Sequence, residues 1–234
     1  MNSVETRQYA SPENLSLYRK KLSKCLLMQL STLARWIEEV RPQLVLDAGC
    51  GSGFYSHLAS KLARDVIAVD VVDGLAKSQT EQSQNVVFIK ASGCALPFDD
   101  GTFDCVFSMD VIEHIENYGT FLRENIRVLR SGGTVIVGTP NRNRLSLRIS
   151  KALGRPVKYP YHLGHDPCYG EIIHYQEWTK DELLQIVHEC GYRVTINEAR
   201  TLNFGILGRL ETIHYPKLCE QWCQFLMIRA QKCC

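Results

Sequence analysis

A glycine-rich turn follows the first short apolar run of the chain. The run at residues 44–46 leads directly into the sequence DAGCGSG at residues 47–53, which has glycine at alternate positions. Glycine accepts a positive φ angle and lets a ligand approach the backbone closely. The spacing is not the GxGxxG of dinucleotide sites, and the Asp47 carboxylate suits a cationic group better than a pyrophosphate. The turn therefore predicts a site for a ligand with a cationic end.

A second acid closes the next apolar run. Residues 66–69 form this run, and Asp70 follows it. A carboxylate at the tip of the second strand can accept hydrogen bonds from both hydroxyls of a ribose. The turn and Asp70 together predict a ligand that contains a ribose, rather than an ordinary turn without a ligand.

Three residues that could take part in catalysis follow the fourth apolar run. Asp110 stands three residues before Glu113 and four before His114, so the side chains share a face if this stretch is helical. Two carboxylates and an imidazole can bind Mg²⁺, Zn²⁺ or Mn²⁺. Without a metal, His114 could act as a base or line the pocket, and all three residues could also be structural. The pattern alone leaves these alternatives open.

The elements around these residues follow an α/β pattern. Apolar residues recur at helical spacing up to Val40, after a predicted helix start at Ser11. Strands are predicted at residues 44–46, 66–69, 86–89, 103–108 and 134–138, and helices between them at 54–62 and 118–129. Strands that alternate with helices form a parallel sheet covered on both faces, in a doubly wound order.

The carboxyl-terminal part of the chain has a weaker pattern. Residues 141–175 contain prolines, tyrosines and histidines without a clear period, and we expect a long irregular segment of the kind that is usually functional. Thr179 and Glu182 then form a capping box that begins a helix. Residues 192–196 and 225–229 are expected to form an antiparallel pair of strands.

The composition is that of an ordinary globular protein. The 234 residues include 45% hydrophobic and 22% charged residues, with a formal net charge of +2, so the charge gives no argument for nucleic acid. The length favours a single domain, 1–234. The ten cysteines contain no CxxC pair, and the sequence has no signal-peptide pattern and no apolar run of about 18 residues. We therefore expect a reduced, cytoplasmic protein without disulfides, structural zinc or a membrane span.

Several motifs taken together carry a resemblance to a known family. They are DAGCGSG, Asp70, ALPF at 95–98 with Phe103-Asp104, IEH at 112–114 and RSGG at 130–133. In this order they resemble a class I S-adenosylmethionine-dependent methyltransferase of the ubiquinone/menaquinone-biosynthesis type (methyltransferase type 11). The likeness covers residues 40–140 in unbroken order and residues 174–230 more loosely. It implies a Rossmann-like, doubly wound, seven-stranded sheet, mostly parallel with one antiparallel strand. A helical cap at 1–41 and a substrate-side insertion at 141–175 would complete it.

The resemblance implies how the glycine-rich turn would bind S-adenosylmethionine. Asp47 would hold the amino group of the methionine part, either through the turn or through a water. Gly49, Cys50 and Gly51 would offer backbone groups to the same part of the cofactor.

The resemblance also assigns the rest of the cofactor site. Asp70 would bind the ribose, and Val71 would pack on the adenine. Ser92 stands before Gly93, where the family usually has Asp, and could still hydrogen-bond the adenine amino group. Met109 would lie under the sulfonium.

Two branches of this family contain a similar acidic and histidine-rich cluster. The ubiquinone-pathway O-methyltransferases have acid-x-x-Glu-His and, after the fifth strand, Asn-Arg-Asn, which here is residues 141–143. The small-RNA 3′-terminal 2′-O-methyltransferases add a later histidine before Glu-Trp-Thr, which here is His174. The resemblance thus implies His114, Glu113 and His174 as catalytic residues. It implies a divalent-metal site of Asp110, Glu113, His114 and His174, in which Asp110 replaces the usual Glu.

Three functions follow from this interpretation. The first is O-methylation of a small-molecule hydroxyl, with residues 12–40 and 141–175 as a lid. The second is a metal-dependent RNA 2′-O-methyltransferase, for which a basic channel would be formed by Arg142, Arg144, Arg148, Lys151, Arg155 and Lys158. The third is a non-catalytic cofactor-binding module that regulates a partner, against which the intact Asp47, Gly49, Gly51 and Asp70 argue.

Overall fold

The computed structural model describes residues 24–72, 83–166, 170–202 and 217–233. The predicted helix start at Ser11 lies outside these residues. The part of the predicted cap that is described is one helix, α1, at Lys24–Val40. Its amphipathic pattern is the one predicted from the sequence. No helix in the described ranges is both long and apolar enough to cross a membrane.

Nine strands are present in the described part of the chain. They are β1 Leu44–Ala48, β2 Asp65–Asp70, β3 Val86–Lys90, β4 Phe103–Met109, β5 Leu129–Pro140, β6 Tyr161–Asp166, β7 Gly170–His174, β8 Val194–Leu202 and β9 Phe225–Lys232. Seven of them form one sheet in the order β3-β2-β1-β4-β5-β9-β8. Strands β1 to β5 pair in parallel, whereas β9 is antiparallel to both β5 and β8. The predicted Rossmann-like sheet with one antiparallel strand is therefore confirmed.

The strand order places a crevice between β1 and β4. From β1 the chain moves outward through β2 and β3, and it then returns to the other side of β1 as β4. This is the topological switch point, where ligands bind at the carboxyl ends of the strands in open α/β sheets. The glycine-rich turn follows β1 and the Asp110 segment follows β4, so the order of the strands brings the two predicted functional segments together.

Helices cover both faces of the sheet. The helices of the described part are α1, α2 Phe54–Ala59, α3 Tyr118–Arg127, α4 Leu145–Ala152 and α5 Lys180–His188, with 3₁₀ helices at Ile112–His114 and Lys217–Trp222. All of the α-helices except α4 contribute to the core. Leu46 of β1 packs with residues of α3 and α5, while its neighbour Val45 packs with residues of α1 and α2. Successive strand residues point to opposite faces, so β1 is buried on both sides. The capping box at Thr179 and Glu182 begins α5, as predicted.

Residues 141–175 are more regular than the sequence indicated. They contain α4 and a hairpin of β6 and β7, which pair antiparallel from Tyr161 opposite His174. Most of β6 is solvent-exposed, and α4 has no buried side chain. The apolar residues of α4 do recur at helical spacing and could have indicated the helix, whereas β6 has little buried surface to give it a strand pattern. A smaller error concerns residues 129–133, which were expected to end a helix but begin β5.

Phe107 provides a test of the core. Its side chain is fully buried in β4, between β1 and β5. We expect Phe107→Ala to lower the free energy of unfolding by about 3–5 kcal/mol, because the cavity cannot collapse at the centre of a sheet. Denaturant unfolding measures this free energy. Val87→Ala on the exposed side of the edge strand β3 is the control, and it should change the same quantity by less than about 1 kcal/mol. A small effect at Phe107 would contradict the central position of β4.

Candidate active site

The glycine-rich turn is fastened to the end of β2. Gly49, Gly51 and Gly53 all have positive φ angles, of 89°, 52° and 76°. The amides of Gly49 and Cys50 both donate to the Val69 carbonyl oxygen, at 2.8 and 2.9 Å. A Cβ on Gly49 would lie 2.5 Å from a methyl carbon of Val111, so only glycine fits there. The turn therefore presents bare backbone to the crevice, as the alternating glycines predicted.

Asp70 holds the same turn from the side of the pocket. One carboxylate oxygen accepts a hydrogen bond from the Gly51 amide at 2.8 Å, and the other accepts from the Val72 amide at 3.0 Å. The side chain thus joins the end of β2 to the glycine-rich turn. Each carboxylate oxygen has further lone pairs, so Asp70 can still accept hydrogen bonds from a ligand.

Asp47 lies behind the turn rather than in the pocket wall. It is buried, and one of its oxygens accepts a hydrogen bond from the Ser56 hydroxyl at 2.6 Å. Burial raises the pKa of Asp47 to about 7, although the Ser56 hydrogen bond acts in the opposite direction and the charge of Asp70 adds to the rise. Asp47 can therefore act on a ligand only through the turn or through a water, as the resemblance implied.

A pocket of about 560 Å³ opens at the switch point. Seven of the nine residues predicted to bind a cofactor line it, and these are Gly49, Cys50, Gly51, Asp70, Val71, Gly93 and Met109. The exceptions are Asp47 and Ser92. The Ser92 hydroxyl oxygen accepts a hydrogen bond from the Cys94 amide at 3.2 Å, so Ser92 shapes the turn beside the pocket.

Asp110 is the first residue after β4 and faces the pocket. It has a positive φ of 56°, and its amide donates to the Gly138 carbonyl oxygen at 3.0 Å. The 3₁₀ helix begins only at Ile112, so Asp110 does not share a helical face with Glu113 and His114 as the spacing suggested. The carboxylate is open to the pocket but otherwise surrounded by protein. This desolvation raises the pKa of Asp110 to about 6, against the effects of His174 and the Tyr55 hydroxyl.

Glu113 is buried behind the pocket wall. Its carboxylate accepts a hydrogen bond from the Thr139 hydroxyl at 2.9 Å, and its backbone oxygen accepts from the Tyr175 amide at 2.8 Å. Burial raises the pKa of Glu113 well above its ordinary value, and the charge of Asp110 adds to the rise. The second contact fastens the 3₁₀ helix to the residue after β7.

His114 is the member of the predicted catalytic set that lines the pocket. Its Nδ1 lies 2.8 Å from the Ile173 carbonyl oxygen of β7. A carbonyl oxygen only accepts hydrogen bonds, so Nδ1 carries the proton and Nε2 keeps a free lone pair. Burial lowers the pKa of His114, which favours the neutral imidazole at pH 7. The residue thus has the tautomer and charge that a general base requires.

His174 is buried behind His114, and their ring centroids are 4.7 Å apart in an edge-to-face arrangement. Nδ1 of His174 lies 2.7 Å from a carboxylate oxygen of Glu177. Burial alone would raise the pKa of Glu177, but hydrogen bonds from His174 and Arg144 and the charge of Arg144 outweigh it and lower the pKa to about 2. In the sequence, Glu177 was only the Glu of the Glu-Trp-Thr that follows His174, with no role of its own. Its spacing of three residues from His174 is the signal that could have identified it.

Three of the four predicted metal ligands form a compact group. Glu113, His114 and His174 each have one potential ligand atom within 4.8 Å of those of the other two. Asp110 is not a member of this group. Because Nδ1 of both histidines is already hydrogen-bonded, Nε2 is the atom that each could offer to an ion.

The central part of the chain matches a known protein family. Residues 46–137 match the family described as methyltransferase domain, and this range runs from β1 into β5 and includes the turn, Asp70 and His114. This central part of the chain is similar to the class I S-adenosylmethionine-dependent methyltransferases.

Curated proteins that are similar to this chain are described as methyltransferases. A protein of Mycobacterium tuberculosis described as a probable S-adenosylmethionine-dependent methyltransferase is 32% identical over 148 residues, which are 63% of this chain and 48% of that protein. A ubiquinone biosynthesis O-methyltransferase of Caulobacter is 35% identical over 112 residues, 46% of this chain and 44% of that one. The chain thus spans about half the length of these curated relatives.

A solved structure gives the same picture of the fold. The 1,6-didemethyltoxoflavin-N1-methyltransferase of Burkholderia thailandensis, with bound 1,6-didemethyltoxoflavin and S-adenosylhomocysteine, superimposes with a TM-score of 0.60 at 16% identity. The match covers 99% of this chain and 88% of that one. At this identity the likeness concerns the fold.

The raised pKa of Asp47 predicts a pH dependence of stability. Between the ordinary value of 3.8 and about 7, the folded chain keeps a proton on Asp47 that the unfolded chain has released. Stability is therefore lost as the pH rises through this window. We expect Asp47→Asn, which cannot ionise, to gain a few kcal/mol relative to the wild type between pH 4 and pH 7.5, as measured by denaturant unfolding across this range. A difference that does not change with pH would show that Asp47 ionises normally.

Proposed function

We propose that this protein is a methyltransferase that transfers a methyl group from S-adenosylmethionine to a hydroxyl group of a small molecule. One observation carries the proposal. A single pocket is lined both by the glycine-rich turn and Asp70 and by His114, so a cofactor site and a proton acceptor open into the same space. A pocket of about 560 Å³ has the size of a small-molecule site.

The residues present fit the cofactor. The turn offers backbone without a Cβ in its way, and Asp70 offers a carboxylate to a ribose. Val71 is an apolar side chain with 61% of its surface exposed at the end of β2, where an adenine would cover it. When bound, S-adenosylmethionine would supply an electrophilic methyl group on a sulfonium, and the sulfur would keep the electron pair of the broken S–C bond and leave as the thioether of S-adenosylhomocysteine.

His114 would then take the proton from the acceptor. As the acceptor oxygen forms its new bond to the methyl carbon, the hydroxyl proton would move to the free lone pair on Nε2 of His114. The hydrogen bond from Nδ1 to Ile173 holds the ring in this orientation. Met109 and Ile115 line the same pocket and would exclude water from the reacting atoms.

A second candidate is a metal-assisted form of the same reaction, and the group of Glu113, His114 and His174 favours it. Two imidazoles and one carboxylate suit Zn²⁺ or Mn²⁺ better than Mg²⁺, which prefers oxygen ligands. These three residues would hold the ion, without Asp110. The ion would supply a Lewis acid that lowers the pKa of a bound hydroxyl.

The RNA alternative has less support. Of the six residues of the basic channel, Arg142 pairs with Glu182 and Arg144 pairs with Glu177. Arg148 lies over the ring of Trp222, 5.3 Å from its centroid. Two of the six charges are thus neutralised and a third residue is engaged by an aromatic ring, which favours a small molecule as the acceptor. The non-catalytic alternative is disfavoured by the free Nε2 of His114 at the pocket wall.

Asp70 tests the cofactor site. We expect Asp70→Ala to weaken the binding of S-adenosylhomocysteine by at least about 100-fold, because it removes a ligand carboxylate and the anchor of the Gly51 amide together. Isothermal calorimetry measures the affinity, and circular dichroism checks the fold. Asp65→Ala, at the exposed start of the same strand, is the matched control and should bind normally. Equal affinities of the two variants would overturn the assignment.

His114 tests the chemistry. We expect His114→Ala to keep its affinity for S-adenosylhomocysteine but to lose about 10²-fold or more in methyl transfer, measured with radiolabelled cofactor on a panel of phenolic, sugar and RNA 2′-hydroxyl acceptors. Undiminished transfer would exclude His114 as the base.

Metal titration of the same proteins separates the two candidates. Under the first proposal, titration with Zn²⁺ or Mn²⁺ gives no heat of metal binding, and the metals leave the affinity for S-adenosylhomocysteine unchanged. Metal binding that is lost in His114→Ala and His174→Ala but kept in Asp110→Asn would favour the metal-assisted form, because Asp110 lies outside the group of Glu113, His114 and His174.

A further inference from the structure

One fully buried carboxylate has no role in the proposed reaction. Glu177 precedes α5, and its side chain is inaccessible to solvent. One oxygen accepts hydrogen bonds from His174 Nδ1 at 2.7 Å, from the Tyr161 hydroxyl at 3.0 Å and from Arg144 at 3.1 Å, and the other accepts a hydrogen bond from Arg144. A buried charge with this many donors is well compensated, but the arrangement still costs desolvation energy.

Arg144 is itself held in place. It donates to both oxygens of Glu177 in the two-point geometry that a guanidinium and a carboxylate favour. It also donates to the Asn141 carbonyl oxygen at 3.0 Å, and the side-chain amide of Asn141 donates to the carbonyl oxygens of Gln221 and Cys223. The ion pair is therefore tied to the end of β5 and to the segment before β9.

This ion pair determines what His174 can do. A carboxylate paired with Arg144 can only accept hydrogen bonds, so His174 must donate to it from Nδ1. Nε2 then keeps its lone pair. The ring is also held by edge-to-face contacts with Tyr161 and His114, at centroid distances of 5.2 and 4.7 Å. The free nitrogen thus belongs to the compact group with Glu113 and His114.

We propose that Arg144 and Glu177 are positioning residues, which fix the orientation of His174 and the tautomer in which Nδ1 is protonated and Nε2 is a free acceptor. A pair that served stability alone would be replaceable, since apolar residues of similar volume commonly stabilise a fold as well as a buried ion pair does. The proposal deepens the proposed function, because a free Nε2 on His174 matters only if the group beside His114 takes part in the reaction.

The test is the tautomer of His174 in the full chain, read from long-range ¹H–¹⁵N NMR spectra at pH 8, where an ordinary imidazole is neutral. The His174 signals are assigned by their loss in His174→Gln. In the wild type we expect the Nδ1-protonated form alone. In the double variant Arg144→Met/Glu177→Leu, which removes both charges and keeps the volume, we expect both tautomers.

The neighbouring ion pair gives a matched control. Arg142, which precedes α4, forms an ion pair with Glu182 in the first turn of α5. This pair is partly exposed and does not touch His174. The double variant Arg142→Met/Glu182→Gln removes the same charges, and Gln can still complete the capping box. We expect it to keep the wild-type tautomer.

Two results would overturn the proposal. One is a wild-type His174 that is protonated on Nε2 or exchanges between tautomers, and this measurement needs no variant to fold. The other is an Arg144→Met/Glu177→Leu protein that keeps Nδ1 protonated alone. Titration of the wild type with S-adenosylhomocysteine separates this proposal from the proposed function, since a failure to bind would contradict methyl transfer and leave the tautomer readings unchanged.

Discussion

The carbonyl oxygen of Val69 is the point on which the site depends. It accepts the amides of Gly49 and Cys50, and the next residue, Asp70, accepts the amide of Gly51. Three successive donors of the turn after β1 are thereby satisfied by the end of β2, and a flexible glycine segment becomes a fixed wall. Glycine allows the positive φ angles of the turn, and these hydrogen bonds together with the close approach of Gly49 to Val111 fix that conformation. The pocket follows from this constraint.

The opposite wall is built in a comparable way from residues far apart in the sequence. The Ile173 carbonyl oxygen fixes the ring of His114, and the Tyr175 amide fixes the backbone of Glu113. Strand β7 and the residue after it thus fix the position of the 3₁₀ helix after β4 through these two hydrogen bonds. The Arg144–Glu177 pair lies immediately behind it. Polar groups that water would otherwise satisfy hold this wall together, so its geometry is sensitive to single substitutions that leave the hydrophobic core unchanged.

The two walls bear differently on function. The wall formed by β1 and β2 lies within the matched family range, and it explains why the chain groups with methyltransferases. The wall formed by the β6–β7 hairpin lies outside that range and would contact the acceptor. Relatives with one fold methylate different atoms, as the names of the ubiquinone O-methyltransferase and the toxoflavin N-methyltransferase indicate. Function therefore has to be argued from the site rather than from the fold.

The sequence by itself determined the parallel strands in doubly wound order, the glycine-rich turn and the position of Asp70 beside it. These features depend on short buried strands, glycines and acids that are close together in the chain, and local patterns record them. Only the tertiary structure decided that Asp110 stands apart from Glu113 and His114, that 141–175 contains a helix and a hairpin, and that Glu177 and Arg144 lie behind His174. Most of β6 is exposed, and the Arg144–Glu177 contact spans 33 residues. Such contacts are set by how elements dock, which residue spacing does not encode.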